Sequence, residues 1–249
     1  MSRFTIIFEQ ILNIVRYLFT NYIVFIMIKN SKTLILIIFM FLFSCSQANK
    51  QTPVQKTANT QELRDSLLQR SDLKTAYFAS GCFWCVEAIY EHVEGVEEVI
   101  SGYSGGHTKN PTYQSSNTGK TGHAEAVEVF YNPKKINFET LVNVYFGSQN
   151  ITQKNGQGPD KGSQYRSIIF YTNEREKQII ESKVSELNEE LDSEKVAAEI
   201  TRFDTFWVAE EYHQNYEQLH PNQPYIRSVS KPRLERFKSN FPELIKDHH

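Results

Sequence analysis

Two thiols, Cys82 and Cys85, lie three residues apart and give this chain its clearest chemical signal. Gly81 stands directly before them and permits a sharp turn of the backbone. A strand-like run, 74–79, leads into this turn and a helical pattern leads out of it, which predicts Cys82 at the N-terminus of a helix. Unpaired N–H groups and the helix dipole favour a thiolate there, so Cys82 is a candidate nucleophile. The alternative is that the two cysteines form a structural disulfide.

A carboxyl group suited to act as an acid occurs in the strand-like segment 124–131. Glu125 shares its side of the alternation with Val127 and Val129, whereas Glu128 falls on the other side. The β-branched side is the better candidate for the core, where burial would raise the pKa of Glu125 and suit it to donate a proton. Glu128 is therefore expected to be solvated. The alternative for Glu125 is an ordinary carboxylate at a strand end that reaches solvent.

Four segments resemble, in the same order along the chain, the motifs of the A-type peptide methionine sulfoxide reductases. The first is Gly-Cys-Phe-Trp at 81–84, and the others fall at 102–113, 121–127 and 157–167. The resemblance spans residues 75–246 and is far more specific than a lone C-x-x-C. It implies that the chain reduces methionine S-sulfoxide to methionine, in oxidised proteins or as the free amino acid, and so repairs oxidative damage.

The reduction of a sulfoxide requires a nucleophilic thiolate, an acid and a pocket that excludes water. The resemblance assigns these roles to the residues of this chain that match the family motifs. They are the nucleophile Cys82, the acid Glu125, Tyr113 and Tyr165 as donors to the sulfoxide oxygen, Phe83 and Trp84 as the apolar wall, and Asp160, which shapes the site. No bound cofactor is expected. Zinc is not expected either, because the cysteines lack a second C-x-x-C or a suitably spaced histidine pair.

Cys85 is the residue that sets this chain apart from many members of the family. Many relatives have a glycine after the tryptophan and place resolving cysteines near the C-terminus, whereas no cysteine follows Cys85 here. The sulfenic acid formed on Cys82 is then expected to condense with Cys85, and a thioredoxin-like donor would reduce the disulfide. A thiol–disulfide oxidoreductase is the second enzyme class to weigh, although it usually has an aromatic residue before the first cysteine. A non-enzymatic binding lipoprotein with one disulfide is the third interpretation.

The front of the chain, residues 1–44, is interpreted as a signal region. An apolar run at 34–43 follows Lys29 and Lys32 and ends just before Cys45, the layout of a secretory signal. It resembles a bacterial lipoprotein signal, so Cys45 is a predicted lipidation site. The alternative is a plain anchor helix, although the run is short for a membrane span. The lipid would anchor the protein to a membrane of the bacterial envelope, outside the cytoplasm, on the periplasmic side or at the cell surface.

Two further predictions concern the segments on either side of the signal. Met27 precedes a complete signal start, so residues 1–26 are interpreted as an over-extended start of the chain, with a genuine first membrane segment as the alternative. Residues 45–72 are polar and poor in aromatic side chains, which predicts a tether between the lipidated cysteine and the folded region.

Charge and length limit what the folded region can do. Residues 1–44 hold four basic and one acidic side chain, so the rest of the chain carries a net charge of −5 rather than the −2 of the whole sequence. A mildly acidic domain without a basic run offers no electrostatic footprint for nucleic acid. Residues 73–249 suffice for one well-buried domain, which is expected to be a monomer.

Strand and helix patterns alternate irregularly along this domain. They predict an α+β fold, a two-layer α/β sandwich with a mixed, mostly antiparallel sheet of the ferredoxin-like plait kind. The C-terminal residues 221–249, rich in proline, are predicted to be an irregular tail. Predicted strands fall at 76–79, 96–103, 124–131, 166–171 and 196–203, and predicted helices at 84–93, 138–146, 173–191 and 209–219.

Overall fold

A computed structural model describes residues 59–247, together with Leu18 and Asn21. The chain divides into two compact units, Met1–Thr57 and Ala58–His249. Leu18 and Asn21, both helical, are the described residues of the first unit. The predicted signal region, Cys45 and most of the predicted tether therefore lie outside the described residues. Within the described part of the chain, no helix is both long enough and apolar enough to cross a membrane.

The second unit is a mixed α+β fold built on a six-stranded sheet. The α-helices are α1 Thr60–Leu68, α2 Phe83–Glu91, α3 Tyr113–Ser116, α4 Phe138–Gly147, α5 Glu174–Glu190, α6 Tyr216–Leu219 and α7 Lys231–Asn240. The strands are β1 Lys74–Ala79, β2 Val96–Ser104, β3 Ala124–Tyr131, β4 Gly156–Gln157, β5 Asp160–Lys161, β6 Ile168–Tyr171, β7 Glu199–Arg202 and β8 Phe206–Val208.

The main sheet has the strand order β7-β6-β1-β3-β2-β8, and β4 pairs with β5 separately. Only the pair β6–β7 is parallel, while the other neighbours in the main sheet are antiparallel. The predicted α+β class and the mixed, mostly antiparallel sheet are thus confirmed. The ferredoxin-like plait, which is a finer assignment, stays a prediction.

The two faces of the sheet carry separate hydrophobic cores. On one face, Phe78, Val127 and Val129 pack with side chains of α2, α4, α5 and α7. On the other face, Tyr77 and Phe130 pack with Leu67 of α1. All eight residues of β3 are buried, because helices cover it on both sides.

Two predictions about the C-terminal part of the chain were wrong. The predicted helix 209–219 is interrupted, because Asn215 adopts φ +54° and donates its N–H to Glu87 Oε1 over 3.1 Å. The predicted irregular tail contains a π-helical turn, Ile226–Ser230, that continues into α7. Strand β8 was not predicted.

Helix α1 occupies part of the segment interpreted as a tether. Its residue Leu67 is buried, and Arg64 reaches across to Glu128 on β3. The Arg64 guanidinium donates from Nη2 to Glu128 Oε1 over 3.1 Å and also from Nε to Oε2, while Tyr77 Oη donates to Oε1 over 2.9 Å. The prediction of a solvated Glu128 was wrong, since the residue is fully buried and depends on a partner 64 positions earlier in the chain.

Replacing Arg64 by methionine is expected to lower the free energy of unfolding by about 3 kcal/mol, because the Glu128 carboxylate would remain buried without its cation. Urea unfolding followed by circular dichroism measures the change. Arg70→Met is the matched control, since Arg70 pairs with Asp72 at the exposed surface and its loss should have no measurable effect. Equal stability of the two variants would show that α1 does not contribute to the fold through this ion pair.

Candidate active site

The turn between β1 and α2 places Cys82 at the start of a helix, as its cap residue. Gly81 adopts φ +82° in this turn, a backbone conformation that residues with a Cβ atom rarely adopt. A Cβ atom at Gly81 would also lie 2.6 Å from Cβ of Gln157, so the neighbouring loop approaches too closely for any larger residue. The sequence at the turn therefore fixes the direction in which α2 leaves the sheet.

The two thiols of the turn are buried and hydrogen-bonded to one another. Burial raises the pKa of the Cys82 thiol, and the hydrogen bond with Cys85 and the charge of Glu125 raise it further. The pKa of Cys85 is lowered to about 7, first by the hydrogen bond from Cys82 and then, against the effect of burial, by the charge of Arg233. The helix terminus alone had predicted the thiolate at Cys82. At Cys82 burial therefore opposes the ionisation that the helix terminus favours, whereas Cys85 has a lowered pKa.

Glu125 lies on β3 and turns its carboxyl group toward the start of α2. Its Oε2 accepts the backbone N–H of Phe83 over 3.0 Å, and the carboxyl group is also hydrogen-bonded to the Cys82 thiol. Only 2% of Glu125 is exposed, and this burial raises its pKa to about 8, with a smaller contribution from Asp160. Glu125 is therefore protonated near neutral pH and able to donate to an acceptor in front of Cys82.

A cavity of about 210 Å³ opens beside Cys82. It brings together every residue predicted for the nucleophile, the acid and substrate binding, together with two residues that were not predicted. Its lining consists of Cys82, Phe83, Trp84, Tyr113, Glu125, Asp160, Tyr165, Gln223 and Tyr225. Cys85 is outside this lining, on the buried side of α2.

Aromatic rings hold the apolar side of the cavity in place. The indole of Trp84 stacks on Tyr216 with ring centroids 3.7 Å apart and donates from Nε1 to Nδ1 of His213 over 3.2 Å. Phe83 packs against the same imidazole, with centroids 4.8 Å apart. Burial lowers the pKa of His213 to about 4, so the imidazole is neutral and its Nδ1 remains an acceptor. These rings form an apolar surface against which a small apolar group can pack.

Two tyrosines, Tyr113 and Tyr165, also line the cavity, and the Tyr113 ring packs against the His213 imidazole with centroids 4.6 Å apart. Tyr113 begins α3, whose first turn is closed by a capping box at Thr112, and its backbone N–H donates to Glu210 Oε1 over 2.9 Å. Tyr165 ends a 3₁₀ turn that follows Gly162. Burial raises the pKa of Tyr165, so its phenol keeps the proton that it can donate.

Tyr225 is the site residue that sequence analysis missed. Its hydroxyl group donates to Asp160 Oδ2 over 2.5 Å and lies 3.7 Å from Sγ of Cys85. It belongs to the C-terminal segment that was predicted to be an irregular tail, and it is one of thirteen tyrosines in the chain. No local motif distinguished it. Gln223, from the same segment, was missed for the same reason.

These groups allow a thiol to attack an electron-poor sulfur while a neighbouring acid protonates the oxygen that leaves it. The cavity offers one nucleophile, the protonated carboxyl group of Glu125 and three phenols, of which Tyr225 donates to Asp160, with a second thiol behind the first. Over residues 59–247, no group of three or more histidine, cysteine, aspartate and glutamate side chains is arranged to hold a metal ion.

Comparisons with known proteins point to the same chemistry. The family model described as peptide methionine sulfoxide reductase matches residues 74–245. The chain is 45% identical over 165 residues to the peptide methionine sulfoxide reductase MsrA of Ruthia magnifica, covering 66% of this chain and 98% of that protein. It is 44% identical over 173 residues to MsrA of Natronomonas pharaonis, covering 69% and 97% of the two chains.

Solved structures show a similar fold. Methionine sulfoxide reductase A of Corynebacterium diphtheriae superposes with a TM-score of 0.55 at 32% identity, covering 61% of this chain and 77% of that one. The reduced form of Mxr1 from Saccharomyces cerevisiae also gives a TM-score of 0.55 at 32% identity, over 61% of this chain and 87% of that one.

The order in which the two thiols ionise can be tested directly. Alkylation with iodoacetamide across a pH series, followed by peptide mass spectrometry, should give a midpoint near pH 7 for Cys85 and a higher midpoint for Cys82, since burial and Glu125 oppose its charge. In urea both midpoints should return to about 8.5. A folded protein in which Cys82 ionises first would contradict this description of the site.

Proposed function

Because the chain belongs to the family of A-type peptide methionine sulfoxide reductases, we propose that Cys82 reduces methionine S-sulfoxide in the cavity beside Glu125. Membership of the family makes the chain a peptide-methionine (S)-S-oxide reductase. The observation that carries the proposed mechanism is the convergence of the Cys82 thiol, the Glu125 carboxyl group and two phenols on one cavity of about 210 Å³. The substrates are oxidised proteins and also free methionine sulfoxide.

In the first step the substrate methyl group lies against Phe83 and Trp84, and the sulfoxide oxygen faces Tyr113 and Tyr165. Glu125 donates its proton to this oxygen, which makes the substrate sulfur electrophilic. The sulfur of Cys82 attacks, and its own proton passes to Glu125 through the hydrogen bond between them. The attack forms a transient bond between Sγ of Cys82 and the substrate sulfur. The hydroxyl group then moves from the substrate sulfur to Sγ as the substrate S–O bond and the transient S–S bond break. Methionine leaves, Cys82 becomes a sulfenic acid, and the substrate gains the two electrons that Cys82 loses.

In the second step Cys85 resolves the sulfenic acid. Its sulfur attacks Sγ of Cys82, the disulfide bond forms, and the sulfenic oxygen leaves as water. The support for this role is that Cys85 is hydrogen-bonded to Cys82 and carries the lower pKa of the two thiols. No other cysteine is present among residues 59–247. A thioredoxin-like dithiol protein then reduces the disulfide, and no bound cofactor takes part.

The proposed location of the enzyme rests on the sequence alone. The apolar run 34–43 and the following Cys45 support a lipoprotein signal, and the polar segment after Cys45 supports a tether. We place the reductase domain, as a monomer, on the outer side of a bacterial membrane, held by the lipid on Cys45. Repair of oxidised envelope proteins is the corresponding role.

Replacing Cys85 by serine is expected to stop the enzyme after one event. With thioredoxin as the reductant, purified Cys85→Ser protein should release about one equivalent of methionine from the S epimer and none from the R epimer, because the sulfenic acid cannot condense. Methionine is quantified by chromatography. Dithiothreitol should restore turnover, since a small thiol can reach the sulfenic acid directly.

Cys45→Ser is the matched control, because it removes a cysteine outside the reductase domain and should leave turnover with thioredoxin unchanged. If Cys85→Ser protein also cycles normally with thioredoxin alone, Cys85 is a packing residue and the recycling scheme fails. If neither epimer yields methionine with the wild-type protein, the proposed activity itself fails.

A further inference from the structure

Arg233 is a buried cation without an anionic partner. It lies on α7, is only 7% exposed, and forms no ion pair with any carboxylate in the described part of the chain. Three of its five N–H groups donate to neutral oxygens instead: Nε to the Ser148 carbonyl over 2.8 Å, Nη1 to the Ser80 carbonyl over 2.9 Å and Nη2 to Ser80 Oγ over 3.0 Å. Burying a charge without an opposite charge beside it is costly, even when its hydrogen bonds are satisfied.

The guanidinium group lies directly behind the active-site turn. Ser80, which accepts two of its hydrogen bonds, stands two positions before Cys82. Arg233 Nη1 is also 3.6 Å from the point where a Cβ atom at Gly81 would lie. The positive charge is therefore fixed at the base of the helix that carries both thiols, and its hydrogen bonds prevent it from moving away.

The thiolate of Cys85 is the negative charge that Arg233 is best placed to stabilise. The groups that face its thiol are Cys82, Tyr225, Ser230 and Arg233, with the Glu125 carboxyl group also close enough to interact electrostatically. The Ser230 and Tyr225 hydroxyl groups also lower the pKa of Cys85 through hydrogen bonds, although they are shared with the carboxyl groups of Glu217 and Asp160. Arg233 is the only cation of this set.

We propose that Arg233 is a positioning residue that keeps Cys85 as the thiolate during recycling, so that the external dithiol attacks Sγ of Cys82. This inference rests on the proposed function and specifies its recycling half. Cys82 lines the cavity, whereas Cys85 does not, and it is the more exposed of the two at 6% against 2%. The thiol with the lower pKa is also the better leaving group in thiol–disulfide exchange.

The Cys82 sulfenic acid returns to the thiol in three steps. The Cys85 thiolate attacks the Cys82 sulfenic acid, the S–S bond forms, the S–O bond breaks, and the hydroxide takes a proton from Glu125 and leaves as water. The first donor thiolate then attacks Sγ of Cys82, and Cys85 departs with the electron pair as a thiolate beside Arg233. The second donor thiolate attacks the donor sulfur of the mixed disulfide, which releases Cys82 as a thiolate and leaves the donor oxidised by two electrons. The two protons that the donor thiols lose restore the Cys82 thiol and the Glu125 carboxyl group.

The point of attack can be mapped without changing Arg233. Wild-type protein is oxidised with one equivalent of methionine S-sulfoxide and then mixed with thioredoxin whose second active-site cysteine is replaced by serine, which arrests the exchange at the mixed disulfide. After an acid quench and alkylation, peptide mass spectrometry should locate thioredoxin on Cys82 and the alkyl group on Cys85. The reverse assignment would overturn the proposal. Failure to form methionine in the oxidation step would instead refute the proposed function.

The role of Arg233 is tested by separating the two halves of one turnover. In Arg233→Gln protein, formation of the Cys82–Cys85 disulfide at pH 7 should be about fivefold slower and its pH midpoint about one unit higher. The difference should close above about pH 9, where Cys85 ionises without help. The rate of the methionine burst, which precedes disulfide formation, should change by less than about twofold, because the reduction step does not use the Cys85 charge.

Two companion variants make the result specific. Arg233→Lys keeps the charge and should recover most of the pH 7 rate, whereas Arg236→Gln removes a charge from the exposed side of the same helix and should have no effect. A disulfide rate that is unchanged in Arg233→Gln, or reduced equally at every pH, would overturn the proposal. If Arg233→Gln does not fold, as judged by circular dichroism, the proposal is tested by the disulfide rate of Arg233→Lys and by the mapping experiment.

Discussion

The active site depends on one buried contact, in which the Glu125 carboxyl group bridges the backbone N–H of Phe83 and the thiol of Cys82. This contact joins the central strand β3 to the first turn of α2. It fixes the direction of the carboxyl group, and the burial that comes with it keeps the proton on the acid up to about pH 8. The same desolvation raises the pKa of Cys82, whereas the pKa of Cys85 behind it is lowered.

Strand β3 carries two buried carboxyl groups, and the fold stabilises them in opposite ways. Glu128, on one face, remains buried because Arg64 and Tyr77 supply three hydrogen bonds. Glu125, on the other face, has no cation beside it, and its pKa is raised instead. A paired carboxylate stabilises the sheet, whereas an unpaired carboxyl group with a mobile proton can do acid chemistry. Arg64 thus gives Glu128 a structural role in the sheet. Glu125 is given no such cation and keeps a proton for chemistry, while Arg233 lies behind Cys85.

Sequence analysis predicted the features that depend on residues close together in the chain. Alternation along β3 predicted a buried Glu125, and Gly81 predicted the turn that starts α2. The environment of Glu128 was not predictable, because its partner Arg64 comes from a helix inside an apparently polar tether. Tyr225 and Arg233 were missed as well, since they reach the thiols from the far end of the chain and no local pattern reports such long-range contacts. Family resemblance located the cavity residues, but it did not reveal which thiol holds the charge.

The rate of the first methionine burst in Glu125→Gln protein tests the central claim most directly, because the amide keeps the shape of the carboxyl group and its bond to Phe83 but has no acidic proton. Rapid quenching should show a burst slower by about a hundredfold or more. The wild-type burst should decline as the pH rises through about 8, where Glu125 loses its proton, and the variant should lack this decline. Glu139→Gln, at an exposed position, serves as the control. A variant that retains the wild-type rate and pH profile would contradict the assignment of Glu125 as the acid.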